Sequence, residues 1–445
     1  MKKLLIPVIL FLWVGISGFT PEKSSKELRG DKYFFVYSYN KAIDSYTKAD
    51  QLSMEGQRHL AESYHQTAQD SLSEAAYSKL ISSASGVMPE DYYNYAMLLK
   101  STGKYEESGR QMDKFRELAK NDLRSKSYAD NKGKLAAMRL DDGKYKTEHL
   151  NINTEAEDFG PCYYKNKIVF SSSRATKLAP KKYNWNGKPF LDMYVSEMDG
   201  SQLKDPQNFD KSLNGKLHDG TASFSKDGNY MAFTRNNYDT KRKDKVIQLE
   251  ICFSKYASEK WTDPQPFALN SKDYSVGHPC LSADGNTLYF TSDMPGGYGG
   301  ADLYRVSRNE KGEWGKQQNL GAKVNTEGDE LFPFFEEKNS VLFFTSNGRF
   351  GLGGLDIFMC IFNGTEFGKA YNAGAPLNTQ YDDFAVIVDE KISKGYFSSN
   401  RAGGSGDDDI YAFDFLKALE IGKAINGIAK NKKGEALPGT FITFS

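Results

Sequence analysis

Two rhythms of apolar residues divide this chain near Lys144. From about Lys32 to Asp130 apolar positions recur at helical spacing, Gly is sparse and Pro89 is the only proline. Ala42, Ile43 and Tyr46 form one stripe, Leu60, Ala61 and Tyr64 a second, and Tyr95, Ala96, Leu98 and Leu99 a third. Ala42, Ala75 and Ser108 are separated by 33 and 33 residues, and Ala61 and Ala96 by 35. A period near 34 predicts stacked helix pairs, each burying its apolar face against its neighbours. The clearest unit is Pro89 to Leu118, where small residues at Ala96 and Ser108 allow close helix approach and Gly103 permits the turn. An unspecialised helical bundle is the alternative.

After Lys144 the period drops to two, and one motif is spelled five times around Phe170, Phe233, Phe290, Phe344 and Phe397, at separations of 63, 57, 54 and 53 residues. Asp227-Gly228 and Asp284-Gly285 lie between apolar runs, which predicts two-residue hairpin turns joining two inner strands. Asp302-Leu303-Tyr304, Asp356-Ile357-Phe358 and Asp409-Ile410-Tyr411 follow Gly-rich turns and open a third strand. Trp261 to Leu269, Trp314 to Leu320 and Phe367 to Leu377 supply a fourth. Four strands per repeat predict propeller blades, five of them, or six if a degenerate copy is present. The last copy lacks a fourth strand, and Tyr145 to Asn153 matches it, so the ring is expected to close there. The fold class is therefore multidomain: all-α tetratricopeptide-like repeats over 28–142, then an all-β propeller over 145–416.

Composition narrows the function. Lys plus Arg and Asp plus Glu both number 58, so no basic excess favours nucleic acid. Aromatics at 13% exclude a disordered chain. Lys2 and Lys3, the apolar run Leu4 to Val14 and the small residues Gly15, Ser17 and Gly18 read as a secretory signal peptide over 1–19, leaving no transmembrane segment in the mature chain. Cys162, Cys252, Cys280 and Cys360 sit in apolar strand-like runs and are expected to be free thiols packed as small hydrophobes.

No residue is assigned to catalysis, cofactor or metal. Asp192, Asp302, Asp356 and Asp409 follow Gly-rich turns and are read as acceptors for backbone N–H groups of those turns, with calcium ligation as the alternative. Asp407-Asp408-Asp409 and Asp382-Asp383 are the better ion contacts. His59, His65, His149, His218 and His278 lack zinc-type spacing, and no nucleophile elbow or phosphate-binding loop is present. Trp261 and Trp314 are expected to pack between strands. Inner-strand positions read Ser, Thr, Phe and Tyr, with no repeating carboxylate.

The pattern Pro, Ser-x-Asp-Gly, Tyr-Phe-x-Ser, Gly-Gly-x-Asp-Ile-Tyr resembles the TolB-type, WD-repeat-like propeller motif over about 155 to 413; in blade two Lys241 to Lys245 replaces the Gly-rich turn and Glu250 the Asp. The helical repeats resemble the tetratricopeptide family. Ile425 to Phe444 resembles the opening hairpin of a carboxypeptidase regulatory-like β-sandwich, expected over 420–445 and cut short. In this order the domains resemble the PorE-like family of type IX secretion and gliding systems, whose last domain is OmpA-like. That resemblance implies a non-enzymatic periplasmic scaffold associated with the outer membrane, contacting a PorP/SprF-type barrel and reaching peptidoglycan through the absent C-terminal domain. The alternatives are a propeller hydrolase or lyase acting on glycans or peptides, and a ligand- or calcium-sensing binding protein.

Overall fold

The computed structural model describes residues 23–83, 85–174, 180–199, 202–237, 246–417, 430–431 and 433–435. The expected signal peptide, the Lys241 to Lys245 segment and, apart from five residues, the expected sandwich lie outside them. The chain divides into two compact units, 1–87 and 88–445.

The first unit contains two helix hairpins, α1 (Ser25–Phe34) with α2 (Tyr39–Tyr46) and α3 (Met54–His65) with α4 (Asp70–Ile81). Ser24 and Ser53 cap α1 and α3 by accepting the N–H groups of Glu27 and Gly56, each at 3.1 Å. Gly30 meets the ring of Tyr46 so closely that an added Cβ would lie 2.4 Å from it. Ser73 Oγ donates to the Ala61 carbonyl at 2.9 Å. Asp31, buried, accepts from Tyr46 Oη at 2.7 Å and Lys23 Nζ at 2.8 Å and faces His59 Nδ1 at 3.0 Å.

The second unit begins with α5 (Pro89–Ser101), α6 (Tyr105–Leu118) and α7 (Leu123–Asn131). Pro89 opens α5, and the Asp91 carboxylate accepts the Met88 N–H at 2.8 Å. Ser108 Oγ donates to the Ala96 carbonyl at 2.7 Å, the same bond as Ser73 to Ala61 and over the same twelve residues. The equivalent close pairs are thus Ala61 with Ser73 and Ala96 with Ser108. Ala75, expected at this contact, is exposed, because α4 turns Ser73 toward its partner helix.

The five expected sheets form five blades. Their inner strands are Asp158–Tyr164, Asp219–Phe224, Val276–Leu281, Glu330–Glu336 and Asp383–Val388. Each packs against the next blade's inner strand, and blade five returns to blade one. Phe170, Phe233, Phe290, Phe344 and Phe397, the centres of the repeated motif, are all at most 1% exposed in the second strands. Tyr145–His149 pairs antiparallel with the last strand, Tyr145 opposite Phe415 and His149 opposite Tyr411, so the ring is sealed as expected. The turns at the Asp-Gly pairs are wider than predicted. Ser225 N–H bonds the Tyr230 carbonyl at 2.9 Å, and Asp227 holds the Asn229 N–H at 3.0 Å, which stabilises a four-residue loop in place of a two-residue turn.

Repeated side chains join the blades. Ser398, Ser171 and Thr234, each following a motif Phe, accept through Oγ the N–H groups of Gly160, Thr221 and His278 in the next blade, at 3.0, 2.8 and 2.9 Å. These bonds fall at an irregularity in each inner strand, where Gly160, His278, Phe332 and Ala385 have positive φ of 66, 49, 49 and 52°. Trp261 and Trp314 pack as expected: Trp261 reaches Tyr164 of blade one, and Trp314 stacks on Phe253 of blade two with centroids 5.4 Å apart. All four cysteines are buried free thiols.

Candidate active site at the propeller mouth

The narrow centre of the ring is apolar. A cavity of about 140 Å³ is lined by all five inner strands, and Phe159, Phe384, Phe332 and His278 form a continuous chain of ring contacts across blades one, five, four and three. His278 stacks on Phe332 with centroids 3.8 Å apart, and burial pushes its pKa down to about 4. A neutral imidazole against an aromatic ring has no charge with which to attract a substrate here.

Charge gathers instead at the face where the inner strands begin. Asp158, Asp219, Glu330 and Asp383 occupy the first position of four inner strands and are fully buried. This corrects the expectation that no carboxylate repeats on the inner strands; the signal was an acidic residue 12 to 14 positions before four of the five motif Phe residues, Phe170, Phe233, Phe344 and Phe397. Their work is structural. Asp383 accepts from Thr379 N–H, Ser399 Oγ and Arg401, and Asp158 from Thr154 and Arg174. Their own N–H groups reach back to the preceding blade, Asp158 to the Asp408 carbonyl at 2.8 Å and Asp383 to the Leu355 carbonyl at 2.7 Å.

The residue before each of these, Glu157, His218, Asp329 and Asp382, is half-buried at the same end of its inner strand. Asp329 and Asp382 bridge blades: Asp382 accepts Leu355 N–H at 2.7 Å and Asn400 Nδ2 at 3.1 Å, and Asp329 accepts Ala301 N–H and Asn347 Nδ2 at 2.9 Å each. His218 is held between the rings of Tyr183 and Phe190 and accepts Leu191 N–H.

Blades five and one are different. Asp408 makes no side-chain hydrogen bond among the described residues, and it lies beside Glu157, Asp382 and Asp407. Burial, reinforced by those three carboxylates, raises its pKa well above the usual range, with Lys188 opposing. Glu157 accepts from Asn186 Nδ2 at 2.8 Å and pairs with Lys188 at 3.3 Å; burial raises its pKa as well. Lys188 also contacts Asp407. A carboxyl biased toward its protonated form next to others paired with a cation is an arrangement acid/base chemistry can use.

The residues expected at ion contacts separate here. Asp409 accepts Ser405 N–H at 2.5 Å, Asp302 accepts Tyr298 N–H at 2.7 Å, and Asp356 accepts Leu352 and Gly353 N–H at 3.1 Å each, which is the turn-acceptor role. Among the described residues no three of His, Cys, Asp and Glu are grouped to hold a metal ion.

No family model matches the chain, and no curated protein matches it in sequence. Solved structures similar to it include a family 117 glycoside hydrolase of Zobellia galactanivorans, 13% identical, covering 62% of this chain and 92% of its own at a TM-score of 0.41. An alpha-L-arabinofuranosidase of Lactobacillus brevis, 11% identical, covers 67% and 98% at 0.36. A candidate TolB of Agrobacterium tumefaciens, 12% identical, covers 61% and 91% at 0.36. At such identities and scores these matches assign no activity to this chain. The chain's own geometry corrects one expectation: repeat architecture without inner-strand carboxylates was the ground for a non-enzymatic scaffold, and carboxylates open four of the five inner strands.

Proposed function

We propose that the propeller is a hydrolase acting on glycosidic bonds at its mouth between blades five and one. The observation that carries this is the cluster in which Lys188 pairs with Glu157 at 3.3 Å and contacts Asp407 while Asp408 beside them makes no side-chain hydrogen bond among the described residues; burial beside these carboxylates biases Asp408 toward its protonated form. Glycoside hydrolysis needs such a pair: one carboxylic acid to protonate the leaving oxygen, and one carboxylate to act as base or nucleophile. Asp408 is assigned as the acid and Glu157 as its negative partner.

The test is turnover of a panel of aryl glycosides and polysaccharides by the purified chain. Release of sugar that is lost in Asp408→Asn and Glu157→Gln supports the assignment, and a chain without turnover on the whole panel overturns it. Under the same proposal the protein acts in the periplasm, a reading supported by the character of its first 19 residues, and belongs with PorE-like proteins by its order of domains. A PorP/SprF-type barrel is its partner there. Fractionation that left the protein in the cytoplasm would overturn that part.

A further inference from the structure

A second cavity, of about 250 Å³, lies away from the mouth carboxylates, between α5, α6, α7 and the blade-four loop 348–351. Its wall holds four cations, Lys100, Arg124, Lys132 and Arg349, and no Asp or Glu. Three of the four are committed. Arg124 pairs with Glu90 at 2.7 Å and Asp122 at 2.8 Å; Lys132 pairs with Asp113 at 3.1 Å; Arg349 donates to the Val324 and Ala322 carbonyls at 3.1 and 3.4 Å. Lys100 is not committed. It is 7% exposed, makes no hydrogen bond or ion pair among the described residues, and the one charge acting on it is that of Asp356.

The rest of the wall is carbon. Tyr93, Tyr105 and Tyr128 spend their hydroxyls on the carbonyls of Asn347, Leu352 and Gly109, at 2.6, 3.0 and 3.1 Å, and so present ring surface. Met97, Met112 and Phe350 complete it. A buried ammonium with no hydrogen-bonded or ion-paired partner, and only the charge of Asp356 acting on it, is costly, and an anion bound beside it offsets that cost. With one cation that has no hydrogen-bonded partner and no spare guanidinium fork, the site suits a monoanion better than a phosphate.

We propose that this cavity binds a carboxylate joined to an apolar or aromatic body, with Lys100 as the counter-ion. Burial lowers the Lys100 pKa, and the negative charge of a carboxylate beside it opposes that lowering. Such a carboxylate is either that of a small free acid or the terminus of a peptide chain.

Calorimetric titration of the whole chain distinguishes these. The probes are 3-phenylpropionate, its neutral amide, and a Phe-ended tetrapeptide with a free or amidated terminus. Binding of a carboxylate form, with its amide at least tenfold weaker, is expected. Tight binding of 3-phenylpropionate identifies a free acid, and binding of the free-ended peptide alone identifies a chain terminus. Lys100→Met is expected to weaken the carboxylate at least tenfold and leave the amide unchanged. Should that variant fold poorly, reductive methylation of the wild-type protein serves instead: the bound carboxylate protects Lys100 and the amide does not. No binding by either carboxylate, or equal binding by acid and amide, overturns the proposal. The glycosidase assay is independent of all these outcomes.

Discussion

Arg401 Nη2 lies 2.5 Å from Asp383 Oδ1, while the corresponding Arg349 of blade four makes no ion pair with Glu330 among the described residues. Blade five reads Ser399-Asn400-Arg401, and blade four reads Ser346-Asn347-Gly348-Arg349. The added Gly348 carries the guanidinium past the carboxylate. Arg349 donates to the carbonyls of Val324 and Ala322, as Arg401 does to those of Leu377 and Pro376 in its own blade, and lines the cavity beside α5.

The intact pair should be expensive to break. Asp383 is fully buried, so Arg401→Met leaves a carboxylate in a low-dielectric site with only Thr379 and Ser399 to bond it. A loss of about 3–5 kcal/mol is expected, read by urea unfolding; a loss below about 1 kcal/mol would mean that the pair behaves as a surface salt bridge.

Glu330 gives a pH dependence of defined sign. Burial raises its pKa from 4.5 to about 7. The folded state therefore holds a proton that the unfolded state releases, and stability falls as pH rises from about 4.5 to about 7. The contribution is on the order of 3 kcal/mol across that window. Glu330→Gln should flatten this part of the curve, measured as urea midpoint against pH. An unchanged slope in the variant would assign the effect elsewhere, Asp356 being the next group whose pKa burial lifts to about 7.

Tyr145 tests the closure. It is 5% exposed and packs edge-on against Phe413 and Phe415 from the strand that seals the ring. Tyr145→Ala should cost about 3–5 kcal/mol and speed proteolysis in the last blade, seen by limited digestion.

Gly30 sets two effects against each other. Alanine in a helix is favoured over glycine by about 1 kcal/mol. A Cβ at this position would meet three Tyr46 ring atoms at 2.4 to 2.8 Å, and overpacking of this kind costs about 1–3 kcal/mol. Net destabilisation of Gly30→Ala is expected by thermal melting; a more stable variant would show that the ring yields freely.

At the mouth, Asp408→Asn should lower glycoside turnover by about 10²–10⁴-fold with the melting temperature little changed, since the side chain makes no described hydrogen bond. The alkaline limb of the pH–rate profile should vanish with it.

The sequence by itself determined the architecture. Periodicity is a local property: helical spacing before Lys144, alternation after it, five spaced copies of one motif and an orphan strand at Tyr145 were enough to expect a ring of five blades, with six left open, and the structure has five. It also marked Ala96 and Ser108, where small residues at a fixed offset record a helix contact. What it did not yield depends on distance through space. Ala75 and Ser73 are equally small, and only the rotation of α4 decides which one meets Ala61. The carboxylates opening the inner strands were visible as letters, but whether Asp383 is neutralised by Arg401 or Asp408 is left against Glu157 depends on how blades meet after closure. Lys100 carried no signal at all. A lysine on a helix reads as a solvated charge, and it became a buried, unpartnered one when α5 packed beside the loop of blade four, some 250 residues away.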